Sequence, residues 1–416
     1  MAIANFRSWL RVALRRSGAS NADAAARQAR GPAAHETKRI LVEGWRGINH
    51  SYALVNQRQL LHLSRNRELR IFHNDLPFYR PEWRKTGTGF DPDQTRTIDS
   101  IEAADPGRFD AIYRISCPYR LYGGRARRIF VFGTAEYGLV DARAIYRGVE
   151  TAREHDNDDV EIITPSQWSR LGFIASGFDA EKVHVVPHGV EPSEYWYPDE
   201  REKQTIRAEL KLPRDAFIFL HIGAMTQNKG TRQLLMAFSI HKTRHPDSYL
   251  LLKGADHLYG GQIHQRIGEA MAWNESLVAA AMPSVIYCGE DLSNLALARF
   301  YRASDAYVSP YLAEAFNLPV LEAIASGLPV IATGGGPTDD YCRDEFSLKI
   351  ESRLDAHVED PGEHLEPDID SLVDHMTRVV ADGKFRETAA RTGPAWAAGR
   401  YSWRAVTEEL AGLLVS

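Results

Sequence analysis

The sequence is poor in the features that mark several large classes of protein. Only three cysteines, Cys117, Cys288 and Cys342, occur in 416 residues. They are far apart, odd in number and without metal-ligand spacing. Neither a disulfide framework nor a cysteine-held metal is expected, and a reducing cytoplasm is the simplest setting. No apolar run is long enough to cross a bilayer, and the first residues lack the continuous apolar core of a secretion signal. An excess of positive charge is missing too. The formal net charge is −5, so no overall field exists to hold phosphate backbones, which excludes a general nucleic-acid binder. No internal repeat or low-complexity array is present. What remains, 44% hydrophobic and 25% charged residues, is the composition of a globular chain long enough for two or three domains.

Residues 1–38 stand apart. Phe6, Trp9, Leu10 and Leu14 fall at helical spacing beside Arg7, Arg11, Arg15 and Arg16. An amphipathic helix lying peripherally on an anionic membrane and a partner-docking or frayed terminal helix both fit this pattern. Ser17 to Glu36, rich in alanine and marked by Gly and Pro, reads as a loose linker. Apolar strand signals follow at Arg39 to Glu43, Leu69 to Asn74, Asp110 to Ser116, Arg128 to Gly133, Val160 to Ser166 and Lys182 to Gly189. Helical spacing lies between several of them, first over His50 to Leu63. This alternation predicts a doubly wound parallel sheet over residues 39–195. The charged, Pro-punctuated run Glu191 to Gln204 reads as an interdomain linker. The pattern restarts at FIFLHI (Phe217 to Ile222) and continues through Ser248 to Gly254, Ser284 to Gly289, Ser304 to Pro310 and Pro329 to Gly335. A second doubly wound domain is expected over 196–390, with a terminal helix in 391–416.

The most informative stretch is SPYLAEAFNLPVLEAIASGLPV, residues 309–330. It reads as a strand, a tight loop and a helix that starts near Pro319 and closes at Gly327. The free N–H groups of such a loop and the helix N-terminus converge on one point and favour an anion, most commonly a diphosphate. Glu314 enters the loop and Glu322 lies about one turn into the helix. A ligand carrying phosphates and hydroxyls together, such as a nucleotide-sugar, would meet all of these groups. Two glutamates eight apart also occur by chance on ordinary strand–helix connections, so spacing alone leaves the site open. Upstream, GAMTQNKG (Gly223 to Gly230) places Lys229 at another strand-to-helix connection, where its ammonium would meet a diphosphate or simply be solvated. Gly47, after the first strand, permits close backbone approach.

The string EAFNLPVLEA, with ATGGGPTDDY after it (Ala332 to Tyr341), resembles the signature of retaining glycosyltransferases of the GT-B fold, family 4, usually written E-G-F-G-L-P-x-x-E-A. The resemblance is strong in the second domain and weak in the first. It implies two Rossmann-like domains facing across a cleft and transfer of a hexose, with retention, from a UDP- or GDP-hexose type donor. The acceptor would be a glycan or lipid-linked intermediate, as in polysaccharide biosynthesis, and neither metal nor cofactor would be needed. In that reading Glu314 positions the donor sugar and is catalytic in that sense, while Glu322 holds the ribose. Lys229 and the amides of Phe316, Asn317 and Leu318 meet the diphosphate, with Gly223, Gly335 and Gly336 allowing close approach. The family pattern G-R-L-x-x-x-K-G matches at Lys229 and Gly230 but not at Ala224, where an arginine is usual. Arg46 and Lys253 are the candidate replacements. The first-domain loops Arg114 to Arg120 and Gly133 to Gly138 lack the family histidine; Ser116 and Glu136 are the polar residues available there. His50, Asp75 and His188 complete the candidate sugar and acceptor contacts. A nucleotide-sugar hydrolase or epimerase and a non-catalytic scaffold that binds nucleotide-sugars are the alternatives. A dinucleotide-dependent oxidoreductase is set aside, because EGWRGINH lacks the G-x-G-x-x-G spacing.

Overall fold

The computed structural model describes residues 37–87, 89–124, 126–145, 160–356 and 362–416. The amphipathic helix and linker expected in residues 1–36 lie outside them. Six segments, β1 (Lys38–Gly44), β2 (Leu69–Asp75), β3 (Phe109–Ile115), β4 (Ala126–Phe132), β5 (Val160–Thr164) and β6 (Val183–Val185), build a parallel sheet in the order β2-β1-β3-β4-β5-β6. Six more, β7 (Phe217–Ile222), β8 (Ser248–Lys253), β9 (Val285–Cys288), β10 (Ala306–Ser309), β11 (Val330–Thr333) and β12 (Ser347–Ile350), build a second in the order β12-β11-β10-β7-β8-β9. Consecutive residues on the central strands are buried, as with Ile40, Leu41 and Val42 on β1 and Tyr307 and Val308 on β10. A strand covered on both faces by crossover helices has no solvent face, which is why these segments read as unbroken apolar runs.

The strand orders decide where a ligand can sit. In the first sheet the winding reverses between β1 and β3, and in the second between β7 and β10. Loops leaving such a pair diverge to opposite faces and open a crevice at the strand C-termini. The helices that follow are α1 (Ser51–Leu63) after β1, α2 (Gln167–Ala175) after β5, α3 (Glu200–Glu209), α4 (Thr231–Arg244) after β7 and α5 (Leu318–Ala325) after β10. Hydrogen bonds join the two lobes at the crevice rim. Ser166 Oγ donates to Ala315 O at 2.6 Å, Asn49 Nδ2 to Asp291 Oδ1 at 2.6 Å, and Trp83 Nε1 to Leu258 O at 3.4 Å.

Two details differ from the sequence reading. The charged run at 191–204 is not all linker. Asp199 caps α3 by accepting from the Glu202 N–H, so the helix starts within that run. The C-terminal region holds two helices, α6 (Gly383–Arg400) and α7 (Trp403–Val415), separated where Val190 and the Tyr401–Trp403 backbone exchange hydrogen bonds. That exchange returns the chain to the first lobe, where α7 packs on α1 and buries Trp403, Val406, Leu410 and Leu414. Burial of side chains of this kind stabilises by roughly 1.5–3 kcal/mol each, enough to hold the return crossing in place.

Candidate active site

The second lobe supplies the charged centre. Gly230 ends the loop after β7 with φ +69° and caps α4. A Cβ at that position would fall 1.7 Å from Pro310 O, so only glycine lets the β7 and β10 loops touch. Asn228 then ties the loops together, accepting at its carbonyl from Leu312 N at 2.8 Å and donating from Nδ2 to Ala313 O at 3.2 Å. Lys229 is thereby set opposite Glu314, with Nζ 2.5 Å from Oε1. Gly223 leaves the approach clear, since a Cβ there would stand 3.3 Å from Lys229 Cγ. Burial alone would weaken the proton affinity of Lys229, but Glu314 and then Glu136 outweigh it and raise the pKa. The group stays an ammonium.

Beside this pair, the start of α5 faces the crevice. Asn317 takes a left-handed conformation (φ +73°) and its amide donates to Ser309 Oγ at 2.9 Å. The Tyr341 hydroxyl donates to the carbonyls of Phe316 and Asn317 at 2.6 and 2.9 Å. No side chain caps the helix; Pro319 has no N–H and the Val320 N–H donates to Asn317 O at 3.1 Å, so the Leu318 N–H and the positive end of the dipole are left for a ligand.

The first lobe covers this centre. Ser51 and Tyr52 at the start of α1, Thr134 and Glu136 after β4, and His188 line one chamber with Lys229, Glu314 and Phe316 to Leu318. A second chamber on the other side of Lys229 is lined by His50, Ala224, Lys253, Tyr259, Leu292 and Glu322 among others. With open cleft included, they hold about 650 and 940 Å³ of empty space, the scale of a small-molecule site. Burial pushes Glu136 up to about 7, with Lys229 pulling the other way and Glu314 adding to the rise. His50 caps α1 by accepting from the Tyr52 N–H at 3.2 Å through Nδ1, which leaves the proton on Nε2. Burial and then Lys229 lower its pKa to about 4, so it is a neutral donor. His188 is lowered to about 3 by burial. Its ring packs on Phe132, Phe316 and Trp403 at 5.5, 5.0 and 6.2 Å, joining both lobes to the terminal helix. Glu322 accepts from the Tyr301 hydroxyl at 2.6 Å, and burial raises its pKa.

Of the residues singled out by sequence, Glu314, Lys229, Glu322, Phe316, Asn317, Leu318, Gly223, His50, Glu136 and His188 border the two chambers. Arg46, Gly47, Asp75, Ser116, Gly335 and Gly336 do not. Arg46 does not stand in for an arginine at 224, because its guanidinium grips Asp75 at 2.8 and 3.3 Å and donates to Ile98 O at 2.9 Å. Asp75, paired also with Lys85 at 2.9 Å, has both carboxylate oxygens engaged by cations of its own lobe. Gly47 supports the loop at 85–87 by accepting from the Thr86 and Gly87 N–H groups. Ser116 is buried at the end of β3. Gly335 donates its N–H to Asp339, and a Cβ on Gly336 would meet the Tyr311 hydroxyl at 2.6 Å, so these glycines serve packing of their own loop. Among the described residues, two Asp-x-Asp pairs, Asp91/Asp93 and Asp368/Asp370, lie at helix starts, where Asp91 and Asp368 are the caps. Sequence reasoning missed Ser51, Tyr52 and Thr134. The rule that ligands lie beyond strand C-termini would have found them, since they follow β1 and β4.

Solved structures share this architecture. Sucrose-phosphate synthase from Thermosynechococcus elongatus aligns with a TM-score of 0.65 at 16% identity, covering 90% of this chain and 98% of that one. Anabaena HepE, solved with UDP and glucose, aligns at 0.62 and 16% identity, covering 91% and 99%. The fold is GT-B: two Rossmann-like lobes with a crevice between their switch points. Residues 202–396 match the family model for Glycosyl transferases group 1. That match takes in the second lobe, which carries Lys229, Glu314 and Glu322. A curated relative, the lipopolysaccharide 1,2-N-acetylglucosaminetransferase of Salmonella typhimurium, is 26% identical over 61% of this chain. The chain spans 51 to 62% of the length of the first such relatives it matches.

Proposed function

We propose that the chain is a glycosyltransferase that moves a hexose from a UDP- or GDP-hexose type donor to a glycan or lipid-linked acceptor in the cytoplasm, with retention and without a metal ion. The observation that carries this reading is the Lys229–Glu314 pair at the β7/β10 switch point, set against the uncapped start of α5. A diphosphate entering there would take the Lys229 ammonium and the Leu318 amide that opens α5, which stabilise the charge that develops on the leaving phosphate. Glu314, released from Lys229, would accept hydroxyl hydrogens of the sugar and fix its anomeric carbon. The bond from that carbon to the phosphate oxygen breaks, with its electron pair leaving on the diphosphate. The acceptor oxygen bonds to the same carbon, and its proton goes to a phosphate oxygen. Glu322, in the second chamber, would receive the ribose hydroxyls. Retention and metal independence rest on the family resemblance of EAFNLPVLEA and on protein groups sufficient to meet the diphosphate charge. The UDP seen with HepE and the lipopolysaccharide in the name of the Salmonella relative support the donor and acceptor classes.

Calorimetry with UDP, GDP, ADP and their hexose forms, first with a chelator and then with Mg²⁺, tests the reading. Metal-independent binding of one base, weakened by Glu322→Ala, is expected. Absence of binding across the panel would overturn it.

A further inference from the structure

Glu322 reaches the second chamber from α5 and is only 7% exposed. A carboxylate so deep in a cavity wall needs donors of its own, or burial returns it to the neutral acid. Two phenols face it. The Tyr301 hydroxyl, on the helix Asn294–Ala303, donates to Glu322 Oε2 at 2.6 Å. The Tyr195 hydroxyl faces the same carboxyl from the segment that joins the lobes, between β6 and α3. The two rings pack edge to face with centroids 5.6 Å apart, and Tyr301 also stacks on Tyr307 at 5.9 Å. Neither phenol borders a chamber, so any bearing they have on a ligand runs through Glu322.

Tyr195 is fixed in turn from the first lobe. The residue before it, Glu194, is buried and forms an ion pair with the equally buried Arg58 of α1. The N–H groups of Glu194 and Tyr195 both donate to Glu191 O, at 2.9 and 3.3 Å. A buried ion pair adds little net stability over apolar side chains of the same size, so what this one supplies is the place of the chain at 194–195. Glu322 feels the whole arrangement: burial raises its pKa, Tyr301, Tyr195 and Arg58 pull it back toward the charged form, and Glu194 opposes them. We propose that Tyr195 and Tyr301 are positioning residues for Glu322, holding its carboxylate in one place to accept from ligand hydroxyls, and that the Arg58–Glu194 pair carries this setting across from the first lobe. The inference rests on the nucleotide-sugar reading above, in which those hydroxyls are the ribose's, and it makes ribose recognition depend on both lobes.

The test compares UDP, GDP and ADP with their 2′,3′-dideoxy forms by calorimetry on the full chain. In the parent, the nucleoside diphosphate that binds should lose about tenfold or more when its ribose hydroxyls are removed, the size of a hydrogen bond to a charged group. Tyr301→Phe should weaken the ribose form by about three- to tenfold and leave the dideoxy form within about twofold. The acid limb of ribose-dependent binding should also move to higher pH in Tyr301→Phe, because the lost hydroxyl favoured the charged carboxylate. The double variant Arg58→Met/Glu194→Gln, which leaves no unpaired charge, should narrow the same discrimination. If Tyr301→Phe does not fold, Tyr195→Phe provides the comparison. Equal losses for the ribose and dideoxy forms, or no loss for either, would overturn the assignment. A parent that binds a nucleoside diphosphate without discriminating its dideoxy form would overturn this inference alone. A parent that binds none would overturn the nucleotide-sugar reading and this inference with it.

Discussion

Glu136 offers a sharp test of the site's electrostatics, because no described residue donates a hydrogen bond that favours the charged form of its carboxyl. Burial pushes it from an ordinary 4.5 up to about 7, against the pull of Lys229. A raised carboxyl pKa means that the fold favours the neutral form. The associated stability is present in full below pH 4.5, where both folded and unfolded chains hold the proton. It is lost as the pH rises through 7, because the unfolded chain gives up the proton first. The undiscounted difference, taken from 4.5 to about 7, is about 3 kcal/mol. Glu136 borders a solvent-reachable chamber, and screening there reduces this to about 1–2 kcal/mol. Glu136→Gln fixes the neutral shape. Urea unfolding of parent and variant from pH 4 to 8 should give matching stabilities at the acid end, and a variant more stable by about 1–2 kcal/mol at pH 8. Parallel curves across the range would refute the reasoning and place Glu136 in open solvent.

Other perturbations report on neighbouring parts of the site. Lys229→Met leaves Glu314 unpaired beside Glu136 and should destabilise the ligand-free protein by about 1–3 kcal/mol, below the figure for a fully buried pair because Lys229 is partly exposed. Adding Glu314→Gln should recover part of that loss, and a double-mutant cycle by urea unfolding measures the coupling. Gly230→Ala combines a left-handed backbone with a Cβ 1.7 Å from Pro310 O, so a loss of roughly 3 kcal/mol or more, or failure to fold, is expected in thermal melting.

Much of this was legible in the sequence, and the reasons are local. Strands buried on both faces leave continuous apolar runs, so both sheets were readable from FIFLHI, SYLLLK and their counterparts. The Lys229 and Glu314 loops were readable because glycine and proline punctuate them at strand-to-helix connections. What escaped depends on residues far apart in the chain. Nothing near Arg46 announces that Asp75, 29 positions on, will occupy its guanidinium. Nor does the sequence around Trp83 show that it bridges the lobes, packed 6.0 Å from Trp45 and bonded to Leu258 O. The first-lobe wall around Tyr52 and Thr134 went unread because its residues carry no motif; only their place after the ends of β1 and β4 marks them.

The central claim is that Lys229 and Glu314 form the centre at which a nucleotide-sugar is cleaved. It is tested most directly by release of the nucleoside diphosphate from the nucleotide-sugar that binds, with water as the acceptor of last resort. The account predicts that Glu314→Gln lowers the release rate by about a hundredfold or more, while binding of the nucleoside diphosphate alone stays within a few fold. Release at the parental rate by a folded Glu314→Gln protein would contradict it.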